Sequence, residues 1–431
     1  MQFDSQQFGF LLTIQAIFKL ISSVLAGIFI CQLGPKNMMI SAFFINSISM
    51  LTLGINPSIY PEDADNLFRL LTTYFGFAAQ GISIGIAITV GYAIVVETFP
   101  DSFSVEVGFY EFFSGLASFL GPIVAWMVLK IVGDDFLYVG VTGAVLAVVT
   151  LLVAVFSLET DGGNKDGEQK PSDFKQAFML LRNELIQLAF FTVLIGNGII
   201  HILGATVENY TESILTWPLE NDVTTNNKNS TNMENFETIE STNNSLFKLA
   251  LPWTILGLTY MITSPFIGKF SQHHPRAVLF TSISTMTIAV LLTKVEPQFV
   301  TLCIVSGIVG ATQPGPILAS YQEMDNAAKH LCVTMCEEVE DLKPPKEKSR
   351  SSNSDETTGR GSVRRGSVQR QSSLAVNGLI ATCWNLGYSL SSVLAPATFG
   401  FIEETHSFHW SMRVYAVLLI ILLGFMFKFY K

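Results

Sequence analysis

Charge is scarce in this chain. Only 14% of its 431 residues are Asp, Glu, Lys or Arg, while 49% are hydrophobic; ordinary soluble domains carry about 25% charged residues. So little charge cannot coat a water-facing surface, and the class that remains is a polytopic, all-α membrane protein embedded in a lipid bilayer. The charge that exists is mostly acidic, a formal net of -10, which argues against nucleic acid as a partner. Cysteine is sparse too: five are scattered along the chain and none lies in the Asn-rich stretch at 208–248, so no disulfide framework is implied. No GxxxxGK[ST] phosphate loop occurs, which excludes ATP as the direct energy source. No nucleophile–base arrangement stands out, and no enzyme activity or cofactor is indicated. His330, Cys332 and Cys336 in "HLCVTMC" are three donors without a fourth at usable spacing, a poor zinc site.

What is present is a series of apolar runs, each long enough to cross a hydrocarbon core of about 30 Å as a helix. Six lie at 8–32, 38–57, 69–96, 105–129, 136–158 and 185–207, and five more at 249–267, 277–293, 299–320, 374–402 and 412–430. The first has no basic region before it and no small-residue cleavage site, so it reads as a spanning helix and not a signal peptide. With the N-terminus outside, 18 Lys and Arg fall on the cytoplasmic side and 6 opposite, with Lys19 inside a span. That asymmetry orients the protein by the positive-inside rule.

Two polar insertions interrupt the runs. Residues 208–248 carry acceptor sequons at Asn209, Asn229 and Asn243, glycosylation candidates on the expected outer side. Residues 322–373 end in a Ser- and Arg-rich stretch without apolar periodicity and are expected to be disordered. Within it Ser367 follows paired arginines, a pattern for phosphorylation; a solvated basic linker is the plain alternative.

The chain repeats itself. "SGLASFLGP" at 114–122 and "YSLSSVLAP" at 388–396 share Leu, Ser, Leu and Pro at one spacing, so Pro122 is matched by Pro396. "AGIFICQLGPK" at 26–36 and "GKFSQHHPR" at 268–276 each begin near a Gly and close on Pro and a base. Gly115, Ser118 and Gly121 remove bulk so that neighbouring helices can approach, and Pro122 frees a carbonyl and bends its helix. Duplicated halves of this kind are a known architecture for gradient-driven transporters.

On these stretches the sequence resembles the major facilitator superfamily across essentially its whole length. "GIFICQLGPK", with Gly27, Gly34 and Lys36, looks like that family's loop between helices 2 and 3; "SGLASFLGP" looks like its antiporter-associated Gly-Pro motif in helix 5. "FKLISSVLAGIFICQLGPK", "VETFP" and "YEFFSGLASFLGP" look most like the vesicular amine transporter family, in its polyamine-transporter-like branch. The resemblance implies a major facilitator fold of two pseudo-symmetric helical halves and proton-coupled antiport of organic cations, such as polyamines or amines, into an acidic lumen. Departures are Cys31 and Gln32 where the loop usually has Asp and Arg, Phe77 for a helix 4 Arg, and Gly204 for a helix 7 acid. The expected domains are 1–158 (five spans), a cytoplasmic linker at 159–184, and 185–431 (six spans). The loop motif here follows the first span, whereas in the family it follows the second. The expectation is therefore 11 spans with the usual first helix missing, an N-terminally shortened product in a vesicular or plasma membrane. The alternative is a transport-inactive scaffold or receptor-like protein. A polar cavity open to one side would favour transport; a filled apolar centre would favour the scaffold.

Ionisable groups inside the runs are functional candidates by default. Glu111 sits about six residues, or ~9 Å, inside its helix, where it is too deep for casual solvation and can carry a proton or meet a cation. A capping carboxylate is its plainer role. Glu97, at a helix end, reaches water. Lys19 lies more than ~15 Å from either end of its run, beyond the snorkelling reach of its stem. Its depth differs from that of Glu111 by about 9 Å, which argues against a direct ion pair. Because a fixed charge there repels a polycation, Lys19 is partly deprotonated, or off the pathway, or the substrate is not strongly cationic. Asn197 and His201 share a helix face at i and i+4, His201 being a second proton-carrying candidate or a satisfied interhelical histidine. Gln80, Asn377, Trp384 and Asn385 are candidate cavity residues, with Trp384 able to hold a cation over its ring.

Overall fold

A computed structural model describes the backbone of residues 5–59, 66–100, 102–132, 136–158, 182–204, 206–207, 210–211, 234–295, 298–341 and 360–430. Asn209 and Asn229 lie outside the described residues, as do the side chains of Asn243, Ser367, His330, Cys332 and Cys336. The described residues are helical with no strand: α1 (Ser5–Leu33), α2 (Pro35–Ile59), α3 (Asn66–Thr98), α4 (Phe103–Val132), α5 (Phe136–Ser157), α6 (Glu184–Gly196), α7 (Glu234–His273), α8 (Pro275–Leu291), α9 (Gln298–Thr312), α10 (Pro314–Asp341), α11 (Arg360–Thr405) and α12 (Phe408–Phe429). Nine helices among the described residues are long and apolar enough to cross a membrane; one runs from Gln298 to Lys329 through α9 and α10. This is an integral, multi-pass membrane protein. Its exposed apolar side chains, such as Phe75 and Phe156, are what a lipid-facing surface requires.

The repeated loop motif has a local cause. Gly34 ends α1 with φ 76°, a left-handed conformation that suits glycine, and Pro35 opens α2, where its missing N–H costs nothing. Pro275 opens α8 in the same way, and the base after it, Arg276, places Nε 3.4 Å from both oxygens of Glu323.

Helices α1 to α5 form one group and α6 to α12 a second. The groups meet along two seams, α1 against α11 and α4 against α7. Glycine sets how closely. A Cβ on Gly27 would stand 1.7 Å from Thr382 Oγ1 and 3.0 Å from the Gly378 carbonyl; one on Gly108 would stand 2.9 Å from the Ser264 carbonyl and 3.2 Å from Gly268 Cα. Gly115 likewise faces the Met261 backbone, at 2.8 Å. Gly121 does not follow the expectation: nothing lies within 4 Å of its Cβ position, and Ser118 is exposed. Beyond Gly115 the small residue of the seam is on the other helix: a Cβ on Gly257 of α7 would stand 3.1 Å from the Phe119 amide nitrogen. Pro122 lies inside an unbroken α4.

The segment expected to be disordered from 322 onward is also corrected. Helix α10 continues to Asp341, and α11 begins at Arg360. Tyr321, Met324, Ala327 and Ala328 are buried, a helical stripe that packs against the cluster containing Tyr92 and Phe103. The charges that made 322–329 look like a loop are paired on the helix itself or with α8: Asp325 with Lys329 at 2.6 Å, and Glu323 with Arg276.

Helix α6 breaks at Asn197 and resumes over 198–204. The Ile199 N–H, which a continuous helix would give to the Ile195 carbonyl, donates instead to the Tyr415 hydroxyl at 3.1 Å, and that hydroxyl donates to the Ile195 carbonyl. A side-chain hydroxyl is thus inserted into the helix ladder, a recognised cause of a kink. Tyr415→Phe would strand both backbone groups away from water, at about 1–3 kcal/mol. We expect a lower thermal unfolding midpoint of the detergent-solubilised variant; an unchanged midpoint would show that the break does not depend on the hydroxyl.

Candidate functional site

A cavity of about 470 Å³ lies between the two helix groups. Its wall is aromatic and sparsely polar: Tyr110, Glu111 and Ser114 from α4, Trp253 and Tyr260 from α7, Trp384 and Tyr388 from α11. The two deep ionisable residues belong to this region. Glu111 is 7% exposed. Its two carboxylate oxygens accept from two hydroxyls, Tyr92 of α3 and Tyr260 of α7. Lys19, also 7% exposed, holds Nζ 3.7 Å from the ring centroid of Tyr388. Each contact therefore crosses a seam, Glu111 to α7 and Lys19 to α11. No ion pair joins Lys19 to Glu111, in keeping with their difference in depth; Arg276–Glu323 and Lys329–Asp325 are ion pairs elsewhere.

The other candidates are placed as follows. Trp384 lines the cavity, but its ring is stacked with Tyr92 at 4.7 Å and Tyr388 at 5.5 Å, and its Nε1 donates to the Ile317 carbonyl at 3.1 Å. The cation expected over Trp384 is found over its neighbour Tyr388, and it is the protein's own lysine. Asn385 is buried and donates from Nδ2 to Thr89 Oγ1 at 3.0 Å, a third link between the groups. Gln80 accepts from Gln15 Nε2 at 2.9 Å and is outside the cavity wall, as is the buried Asn377. His201 Nε2 lies 3.0 Å from Asn197 Nδ2 and 2.8 Å from Ser392 Oγ, while Asn197 Oδ1 accepts from Gln313 Nε2 at 2.9 Å. That chain ties the break in α6 to the break between α9 and α10, so His201 is a satisfied interhelical histidine. Among the described residues no group of three or more His, Cys, Asp or Glu is placed to hold a metal ion. The sequence reading missed the tyrosines: Tyr92, Tyr110, Tyr260 and Tyr388. Their signal was a phenol in the middle of a spanning run, where its O–H must find a partner.

The cavity is closed at the end nearer the 33–35 and 273–275 connections. There Ser104 donates to Gln322, Phe103 meets Tyr321 edge-on at 5.7 Å, and Lys329 Nζ lies 5.9 Å from the Phe103 ring centroid. At the other end α4 buries nothing: from Leu116 to Val132 every residue is half-buried or exposed.

Two groups of membrane-spanning helices around a central cavity closed at one end are the form of an alternating-access carrier. Residues 1–225 match the family model of the Major Facilitator Superfamily, and the chain belongs to that superfamily. Curated relatives are the MFS-type transporter SLC18B1 of Rattus norvegicus, 24% identical over 158 residues (36% of this chain and 34% of the relative), and of Homo sapiens, 24% identical over 149 residues (34% and 32%). The chain thus spans about a third of the length of these relatives. Two solved structures share the fold. One is the nucleoside transporter NupG, with TM-score 0.56 and 11% identity over 100% of this chain and 92% of that one; the other is the proton:xylose symporter XylE, with TM-score 0.62 and 12% identity over 99% and 86%.

The closed and open ends differ in what a water-soluble thiol reagent can reach. In a cysteine-free background, Ser114→Cys is expected to be labelled rapidly in detergent solution and Ser104→Cys, which is fully buried, to be protected. Equal labelling of the two would contradict this arrangement.

Proposed function

We propose that the protein is a secondary transporter exchanging protons for an organic cation, with Glu111 as the group that serves both. The observation that carries this reading is the carboxylate held in the cavity wall by one hydroxyl from each helix group. Ionised, Glu111 accepts both hydroxyls and draws Tyr260 toward Tyr92 across the seam. Protonated, it gives up an acceptor site and the seam loosens. A cation entering the cavity competes for the same carboxylate, so proton and substrate bind in alternation, as exchange requires. Aromatic walls around a single acid suit an amine, and the similarity to SLC18B1 points to the vesicular amine transporter family. An open cavity with a carboxylate, Glu111, in its wall speaks against a filled apolar scaffold.

With the N-terminus outside, as the positive charges suggest, the closed end faces the cytosol and the cavity opens to a lumen or the exterior. The arrangement is then the substrate-releasing, proton-receiving state of an exporter in a vesicular or plasma membrane.

The test is uptake of labelled spermidine and of monoamines into proteoliposomes under an imposed pH gradient. We expect gradient-driven uptake by the native protein and none above empty liposomes by Glu111→Gln, which keeps the volume and removes the titrating group. Undiminished gradient-driven uptake by that variant would overturn the assignment of Glu111.

A further inference from the structure

Helices α10 and α11 outrun the membrane at the closed end. The 46 residues of α11 reach ~69 Å at about 1.5 Å per residue, against ~30 Å for a hydrocarbon core. Helix α11 begins at Arg360, far ahead of Asn377, and α10 continues past the buried Ala328 to Asp341. The charges of the two extensions are opposite. Residues 330–341 hold Glu337, Glu338, Glu340 and Asp341 and no Lys or Arg; residues 360–376 hold Arg360, Arg364, Arg365 and Arg370 and no acid. Neither block suits a helix alone. Glu337 and Asp341 are like charges one turn apart, as are Arg360 and Arg364, and Gly361 and Gly366 oppose helix in the second block. Both are helical nonetheless, on helices that pack together. Trp384 of α11 donates to the Ile317 carbonyl of α10. Counted outward from that bond at equal rise, Glu337 is level with Arg364 and Asp341 with Arg360. Counted from the contact of Tyr321 with Trp384, the register shifts by one turn and Asp341 is level with Arg364. In either register acids stand level with arginines.

We infer that the two extensions form a helical arm zipped by charge on the cytosolic face, and that Ser367 is a phosphorylation site that opens it. Arg364 and Arg365 precede Ser367 in the pattern a basophilic kinase reads. The kinase transfers the γ-phosphoryl group of ATP to the Ser367 hydroxyl oxygen; ADP leaves, and the hydroxyl proton passes to solvent. The phosphate brings a charge of about -2 to the basic helix. It stands three residues from both Arg364 and Arg370, the spacing at which helical side chains meet, so it takes these arginines from the acids of α10. It also repels Glu337 and Glu338. The effect reaches the closed end because Gln322 of α10 and Thr382 of α11 contact the first helix group there, at Ser104 and Gly27. A zipped arm keeps α10 and α11 together as that end opens and closes. The inference is independent of the substrate the cavity takes.

The experiment measures the distance between spin labels by pulsed electron resonance on the purified full chain in lipid nanodiscs. The labels sit at Val339→Cys and Ser362→Cys in a cysteine-free background. The unmodified protein should give one short distance. Arg364→Glu with Arg365→Glu should abolish that peak, and adding Glu337→Arg with Glu338→Arg should restore it, a rescue that depends on charge and not on any one side chain. A basophilic Ser/Thr kinase with ATP should place a phosphate on Ser367, located by peptide mass spectrometry, and abolish the same peak. Ser367→Ala should keep the peak under the same treatment. No short distance in the unmodified protein, or a peak that withstands the first charge reversal, overturns the arm. A treated chain without phosphate on Ser367, or one phosphorylated there with its peak unchanged, overturns the switch.

Discussion

A charge inside a bilayer has no water to turn to, and the centre of this protein is arranged around that constraint. Every polar group at that depth must be met by protein, and here the two deep charges are met across the seams. Glu111 is satisfied by phenols on α3 and α7, Lys19 by a ring on α11. The contacts that make burial tolerable are therefore the contacts that hold the two helix groups together. In the proposed exchange, a change of charge at Glu111 changes the adhesion between the groups, which ties chemistry to conformation without a separate relay.

The seams themselves are unequal along their length. Near the closed end, backbone lies on backbone at Gly27–Gly378 and at Gly108–Gly268, and Ser104 reaches Gln322. Such contacts allow almost no intermediate separation, since a helix pair packed at this distance is either engaged or apart. Toward the open end the glycine contact continues only as far as Gly257 against Phe119, and the residues of α4 from Leu116 onward are half-buried or exposed. The closed end is thus fastened by shape and the middle by charge and hydroxyl groups. The middle is the part a ligand can reach.

The internal repeat also works asymmetrically. Ser392 and Ala395 of α11 face α6, the serine bonded to His201 and the alanine 3.7 Å from the Cβ position of Gly198. Their counterparts on α4, Ser118 and Gly121, face the cavity and open space. One sequence pattern thus serves as a packing face in one half and as a cavity wall in the other, because each face is defined by which helix lies opposite it. The breaks in α6 and between α9 and α10 belong to the packed half, where Tyr415 and Gln313 satisfy what the breaks release.

The positions of the spanning helices, the depth of Lys19 and Glu111, and the helix-ending role of Gly34 with Pro35 were legible in the sequence. Each follows from local quantities: hydropathy over about 20 residues, a rise of about 1.5 Å per residue, and the backbone freedom of one glycine. The buried helix over 322–329 was not legible, since its charges read as solvent until Arg276 and Lys329 are placed beside Glu323 and Asp325. Nor was the seating of Lys19 on Tyr388 instead of any ligand on Trp384, or the pairing of Glu111 with Tyr92 and Tyr260. Those residues are separated by 369, 19 and 149 positions along the chain, and no periodicity records such distances. By itself the sequence determined that this chain lives in a membrane and which of its charges lie deep. Only the tertiary structure decided what those charges touch, because the partner of a buried group is set by the packing of helices against helices.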